Sequence, residues 1–324
     1  MDIFWLILGL VLILVGADAL TDGASAMAKR WGVSDLVVGL TVVAFGTSAP
    51  ELAISLVSAL KGSAPMAVGN VVGSNIFNVL VIIGIVAMIK PIKIQGSIMV
   101  NELPLVMLSS VALLAIGCGD VLGVAGIREI TRPEGILLLL FFMIFMRYTF
   151  SQAKQTPATD PAAENAASKP LMPMWKSIVW VIGGLAGLVY GGDRFVAGAS
   201  GIASSLGMSD ALIGLTIVAA GTSLPELATS VTAAMKGKTG IAIGNVIGSN
   251  IFNIFLVLGL TGTIMPLPFG GISESDLLVM TGAAILFWLF SWKFAERTIT
   301  RWEGGCMFAL YIAYIGCQIY SHAF

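Results

Sequence analysis

The chain has 324 residues, 57% of them hydrophobic and only 11% charged, with a mean hydropathy of +0.96. A soluble domain is about 45–50% apolar and about a quarter charged, so a soluble enzyme is excluded. Seventeen basic residues against eighteen acidic ones provide no basic surface for phosphates, which excludes nucleic acid as a partner.

A bilayer core about 30 Å thick takes roughly 20 apolar residues per helical crossing, so this length allows about ten crossings. In chain order, apolar runs are predicted at about 3–21, 35–60, 65–89, 103–118, 134–150, 175–197, 210–235, 240–264, 276–293 and 303–321. Ala24-Ser-Ala26 mimics a signal-peptidase site. The residues before it lack a basic region and include Asp2, Asp18 and Asp22, so the first run is read as a retained helix. The one linker-like stretch, 151–173, is rich in Pro, Ala and polar residues and separates a first half, 1–150, from a second, 174–324. Cys118, Cys306 and Cys317 show no metal-ligand spacing, and the single histidine, His322, lies near the end. Catalysis by an embedded imidazole is therefore excluded, and neither an enzyme nor a resident cofactor is expected.

The two halves are copies. Gly39-Leu-Thr-Val-Val-Ala-Phe-Gly-Thr-Ser-Ala-Pro-Glu51 recurs as Gly214-Leu-Thr-Ile-Val-Ala-Ala-Gly-Thr-Ser-Leu-Pro-Glu226, and Gly69-Asn-Val-Val-Gly-Ser-Asn-Ile-Phe-Asn78 recurs as Gly244-Asn-Val-Ile-Gly-Ser-Asn-Ile-Phe-Asn253. Across 39–84 and 214–259, roughly 27 of about 46 positions are identical without a gap. At the same offset Asp18 matches Asp193, Gly23 matches Gly198, and Ser34-Asp35 matches Ser209-Asp210. The fifth helix of each half opens alike, with Arg132-Pro-Glu-Gly135 against Arg301-Trp-Glu-Gly304. Each half thus holds five predicted helices, and an odd number of crossings inverts the second copy. With the N-terminus outside, about 13 basic residues fall on the inner side and about 4 (Lys61, Arg128, Arg132, Arg194) on the outer side. The reading is an all-α membrane protein of two inverted five-helix repeats, a transporter signature, with both termini out and a cytoplasmic linker.

Glu51 and Glu226 lie deep inside apolar runs, where a carboxylate costs at least about 2.5–3.5 kcal/mol on insertion scales. Thr47 and Ser48 precede Glu51 by four and three residues and share its helical face; Thr222, Ser223 and Glu226 repeat the pattern. Pro50 and Pro225 lack an N–H and crowd the carbonyls of Gly46 and Gly221, which become further oxygen donors. On the next helix of each half, Asn70, Ser74 and Asn78 are spaced by four, as are Asn245, Ser249 and Asn253, with Asn75 and Asn250 a turn away. All are oxygen-bearing groups, which suits a hard cation such as Ca²⁺, with Na⁺ able to share them, rather than Zn²⁺ or Cu. Two glutamates balance one divalent charge. Gly69-x-x-x-Gly73 and Gly244-x-x-x-Gly248 are read as close helix packing. Asn70, Asn75, Asn245 and Asn250 fit either interhelical glue or ligands, while Asp18 and Asp193 are read as solvated helix ends and Glu102 and Glu274 as interfacial.

These motifs resemble the two α-repeats of the calcium/cation antiporter superfamily, whose best-known members are the sodium/calcium exchangers, and they are most similar to its prokaryotic members. The resemblance implies ten helices in two inverted halves, with ions held among the second, third, seventh and eighth. Carried over by motif position, the ligands would be Thr47, Ser48, Glu51, Ser74 and Asn78 with Thr222, Ser223, Glu226, Ser249 and Asn253. The carbonyls of Ala44 and Ala219 would join them, and the first and sixth helices would slide to switch access. Some exchangers carry aspartate where this chain has Asn253, which leaves two carboxylates rather than three. The expected function is a cytoplasmic-membrane antiporter that extrudes Ca²⁺ against inward Na⁺. A proton/calcium antiporter on the same site is the nearest alternative. Lipid and the transported ions are the only partners expected.

Overall fold

In a computed structural model, residues 1–118, 128–155, 172–206, 219–293 and 297–323 are described. The order is α1 (Asp2–Trp31), α2 (Asp35–Val38), α3 (Ala44–Thr47), α4 (Ala49–Leu60), α5 (Ala64–Phe77), α6 (Gly84–Ile89), β1 (Ile92–Lys93), α7 (Leu103–Gly117), β2 (Glu129–Ile130) and α8 (Arg132–Gln155). It continues with α9 (Met174–Ser205), α10 (Ala219–Gly221), α11 (Leu224–Met235), α12 (Thr239–Ile251), α13 (Gly259–Ile264), β3 (Leu267–Pro268), α14 (Glu274–Lys293), β4 (Thr298–Ile299) and α15 (Arg301–Ala323). Among the described residues, seven helices are long and apolar enough to cross a membrane, or eight if the pair bent at Ser48 forms one span. Hydrocarbon supplies no hydrogen-bond partners, so long apolar segments satisfy their own backbone as helices.

Several boundaries differ from the sequence expectation for physical reasons. α1 and α9 outrun the apolar runs at 3–21 and 175–197. The α1 extension opens on Asp22, which meets Lys236 and Lys238, and the α9 extension, 198–205, holds only Gly, Ala, Ser and Ile, so no charge opposes continued helix there. α1 stops at Gly32, whose positive φ of 66° lets its N–H close on the Ala28 and Lys29 carbonyls. The run 35–60 is broken at Ser48, and Pro50 falls in the first turn of the restarted helix, where a missing N–H costs little. The run beginning at 210 breaks at Thr222-Ser223, and its first nine residues lie outside the described part. The runs near 65–89 and 240–264 stay continuous but widen into π-helical turns at Asn78–Ile83 and Phe252–Leu258. The first residues of the predicted linker extend α8 to Gln155, and 156–171 lie outside the described residues. Glu102, expected at an interface, is buried in a π turn (Ile98–Glu102) that leads into α7, whose N-terminus favours a carboxylate.

Two compact units emerge, each drawing on both halves of the sequence: 1–47 with 147–248, and 48–146 with 249–324. The first is built on α1 against α9. Gly9 faces Gly191, Gly16 faces Gly184, and Gly23 faces Ser177, so the pair is antiparallel with contacts every seven residues. Gly244 and Gly248 meet the main chain of Leu36 and Leu40, which bears out their packing role; Gly73, by contrast, has no neighbour within 4 Å of an added Cβ.

In the second unit α14 packs on α7, α15 on α6, and α4 on α5 and on the π turn 252–258. Two short antiparallel ladders, Ile92–Lys93 with Thr298–Ile299 and Glu129–Ile130 with Leu267–Pro268, tie its connections together. They also explain the shared opening of the fifth helices. Glu134 Oε2 accepts from the Thr131 N–H and hydroxyl at 2.7 Å each, and Glu303 Oε2 accepts from Thr300 at 2.6 and 2.8 Å. The glycine one position later then lets each helix approach a neighbour's backbone, Gly135 at Gly259 and Gly304 at Gly84.

Candidate cation-binding site

Glu51 and Glu226 are completely buried. Each sits in the first turn of a helix that restarts after a break, where unpaired N–H groups and the helix dipole favour negative charge. The sequence explains the placement: Ser48 and Ser223 occupy the N-cap positions, followed by Ala49-Pro50 and Leu224-Pro225. Since Pro50 and Pro225 carry no N–H, the carbonyls four residues back are left without the usual helical donor.

The first unit holds Ala44, Thr47, Ala219, Thr222, Ser223, Glu226 and Asn245. Thr47 Oγ1 donates to Asn245 Oδ1 at 3.0 Å, with the Ala44 carbonyl at 3.4 Å. Asn245 Nδ2 in turn donates to the Glu226 backbone carbonyl at 3.3 Å and to Ser230 Oγ at 3.0 Å. The Asn245 amide is thereby engaged with protein on both atoms, which fits the interhelical-glue reading. Thr222 and Ser223 lie in the break itself, with Ser223 buried and Thr222 half-buried, and Ala219 opens the short helix before it.

The second unit holds Ser48, Glu51, Ser74, Asn78, Ser249 and Asn253, all buried. Asn253 Nδ2 donates to Ser74 Oγ at 3.2 Å and to Asn75 Oδ1 at 3.1 Å, and Asn75 Nδ2 donates to the Asn250 carbonyl at 3.3 Å. Five side-chain atoms here are buried without a hydrogen-bond partner: both amide atoms of Asn78, both of Asn250, and Ser249 Oγ. Asn253 Oδ1 is a sixth. An unpartnered polar atom in an apolar interior costs about 1–3 kcal/mol, so this concentration fits an oxygen-binding ligand. Carbonyl, hydroxyl and carboxylate oxygens are the donor chemistry of a hard cation.

Sequence reasoning passed over Ser55 and Ser230, which accept from Asn70 at 3.4 Å and Asn245 at 3.0 Å. Their signal was present, since each lies four residues after its glutamate in both repeats. Asp18 is exposed, as expected, but lies within α1 rather than at its end, and it is paired. Lys236 Nζ lies 2.6 Å from Asp18 and 2.9 Å from Asp22, and Lys238 Nζ lies 2.7 Å from Asp22. Burial pulls the Lys236 ammonium down, but its bonds to Asp18 and Asp22 outweigh that and hold it above the ordinary lysine value. Asp193, the repeat counterpart of Asp18, is exposed and pairs only with the adjacent Arg194 among the described contacts.

The model of the sodium/calcium exchanger protein family matches residues 1–151 and 176–320. The chain belongs to the sodium/calcium exchanger family. Its likeness to the calcium/cation antiporters is therefore borne out, and it is a membrane protein of a transporter family. It is 33% identical to the sodium/calcium exchanger MaX1 of Methanosarcina acetivorans, over 97% of both chains. It is 36% identical to the inner membrane protein YrbG of Escherichia coli, over 89% of this chain and 88% of that one. Its structure matches that of the sodium–calcium exchanger NCX_Mj soaked with Na⁺ and Ca²⁺, with a TM-score of 0.81 and 33% identity over 97% of both chains.

Proposed function

We propose that this exchanger moves Ca²⁺ out of the cell against inward Na⁺ by alternating access, through ten crossings arranged as two inverted five-helix repeats. The ligand set is Glu51 and Glu226 with Thr47, Ser48, Ser74, Asn78, Thr222, Ser223, Ser249 and Asn253, joined by the Ala44 and Ala219 carbonyls. The observation that carries this reading is the pair of fully buried glutamates, each in the first turn of a helix restarted at a Ser-x-Pro break. Two carboxylates match one divalent ion in charge, and both ions competing for them couples their movements. An empty, doubly charged site resists crossing a low-dielectric barrier, which suppresses leak. The protein resides in the cytoplasmic membrane with both termini outside, as the distribution of basic residues supports.

The test is ⁴⁵Ca²⁺ uptake by sodium-loaded proteoliposomes diluted into sodium-free buffer, with a pH-gradient control. Uptake that requires internal Na⁺ and vanishes in Glu51→Gln and Glu226→Gln, with the variants still folded, is the expected result. Uptake driven only by the pH gradient would replace Na⁺ with H⁺ on the same site. Near-normal transport by either variant would remove the two-glutamate site.

A further inference from the structure

The orientation of the Asn253 side chain is fixed from the main chain outward. The Asn250 backbone carbonyl can only accept, so the Asn75 atom 3.3 Å from it is Nδ2. The other amide atom of Asn75 is then Oδ1, which faces Asn253 at 3.1 Å, and the Asn253 atom that meets it is Nδ2. Ser74 Oγ takes the second proton of that nitrogen at 3.2 Å. What remains is Asn253 Oδ1, buried and without a hydrogen-bond partner. All four residues belong to the same unit, and Asn253 lies in the π turn Phe252–Leu258.

We propose that Asn75 is a positioning residue for ion selectivity: it holds the Asn253 carboxamide with its oxygen, and not its N–H groups, offered to the transported cation. This rests on the reading of Asn253 as a cation ligand. An amide presents a partial negative charge at one end and a partial positive charge at the other, so a flip replaces attraction with repulsion. A carboxylate at 253 has two equivalent oxygens and needs no such anchor. Asparagine at this position therefore makes the exchanger depend on Asn75, whereas a chain with aspartate there would not. The repeat counterpart, Asn78, has both amide atoms without partners and no corresponding anchor.

The test compares Ca²⁺ KM and maximal rate of sodium-driven exchange in proteoliposomes for the wild type, Asn75→Leu, Asn253→Asp and the double variant. Asn75→Ala, which removes the same bonds with less bulk, is measured alongside, and folding is checked by size-exclusion profile. Loss of one orienting hydrogen-bond network is expected to raise the Ca²⁺ KM about tenfold in Asn75→Leu and Asn75→Ala, with a smaller change in maximal rate. In the Asn253→Asp background the same substitution should change KM by less than about twofold, because the carboxylate has lost its dependence on orientation. An equal loss in both backgrounds would make Asn75 a structural residue and overturn the proposal, as would an unchanged KM in the single variants. A wild type that moves no Ca²⁺ under a sodium gradient would instead overturn the exchange reading itself.

Discussion

Gly183 and Gly184 are adjacent in α9, yet alanine at the two positions should have opposite effects. A Cβ on Gly184 would stand 2.6 Å from the Leu20 backbone nitrogen and 2.7 Å from the Gly16 carbonyl oxygen, where ordinary contact begins at 3.4 Å. Both neighbours are main chain and cannot rotate aside, so α1 and α9 must part by about 0.8 Å. A Cβ on Gly183 meets nothing within 4 Å. Overpacking of this kind costs about 1–3 kcal/mol, while replacing a helical glycine by alanine gains about 1 kcal/mol. That gain is common to both variants, so the difference between them isolates the overpacking cost. Gly183→Ala is expected to match or exceed the wild type, and Gly184→Ala to fall below Gly183→Ala by about 1–3 kcal/mol, an unfolding midpoint several degrees lower. The measurement is thermal unfolding of the three purified proteins in one detergent. Equal midpoints, or a more stable Gly184→Ala, would refute the close approach of α1 and α9 at this crossing.

Two further substitutions test the connections outside the spans. Lys236→Gln removes the cation shared by Asp18 and Asp22; because the groups are partly exposed, the loss should stay below about 1 kcal/mol at neutral pH and shrink in high salt. The folded-state Lys236 is held above its ordinary value, so its contribution is full below the unfolded lysine range and disappears as pH rises through the folded value. A difference from wild type that grows with alkalinity in a midpoint-versus-pH series would contradict that sign. Glu303→Ala should cost about 0.5–2 kcal/mol by opening the cap on α15, and Glu303→Gln less, since its amide oxygen still accepts from Thr300. An α15 that melts at the same temperature in all three proteins would show that the cap contributes nothing.

The broken helices were readable because proline carries its own mechanism. Pro50 and Pro225 cannot continue a helix that would need their N–H, so a restart just before each was implied by two residues. The π turns at 78–83 and 252–258 left no such mark. Asn-Val-Leu-Val-Ile-Ile and Phe-Asn-Ile-Phe-Leu-Val-Leu are acceptable in any buried helix, and the widening is a property of the packed segment. The lengths of α1 and α9 were hidden for another reason. Asp22 reads locally as the end of an apolar run, yet it is paired with Lys236 and Lys238, and the small, polar residues of 198–205 lower hydropathy without opposing helix. The capping boxes were legible and passed over: Thr131 and Thr300 each precede a glutamate by three residues, the spacing that a reciprocal cap requires.

The repeat itself misleads at one level. Ser74, Asn75 and Asn78 are identical to Ser249, Asn250 and Asn253, so sequence alone treats them as interchangeable pairs. The bonding is not shared equally. Asn253 donates to Ser74 and Asn75, whereas Asn78, Asn250 and Ser249 keep buried polar atoms without partners. The Asp22–Lys238 pair likewise has no counterpart in the other copy, because the related positions hold Ala197 and Ser63. The acceptors that a mirrored pattern from Asn78 would use, Ser249 Oγ and Asn250 Oδ1, stand without partners, so the two identical triplets are bonded in one sense alone. Duplicated side chains therefore specify which chemistry is available and leave open which copy performs it. Substitutions at Asn78 and Asn253 should for this reason be interpreted singly, each against the bonds its own amide makes.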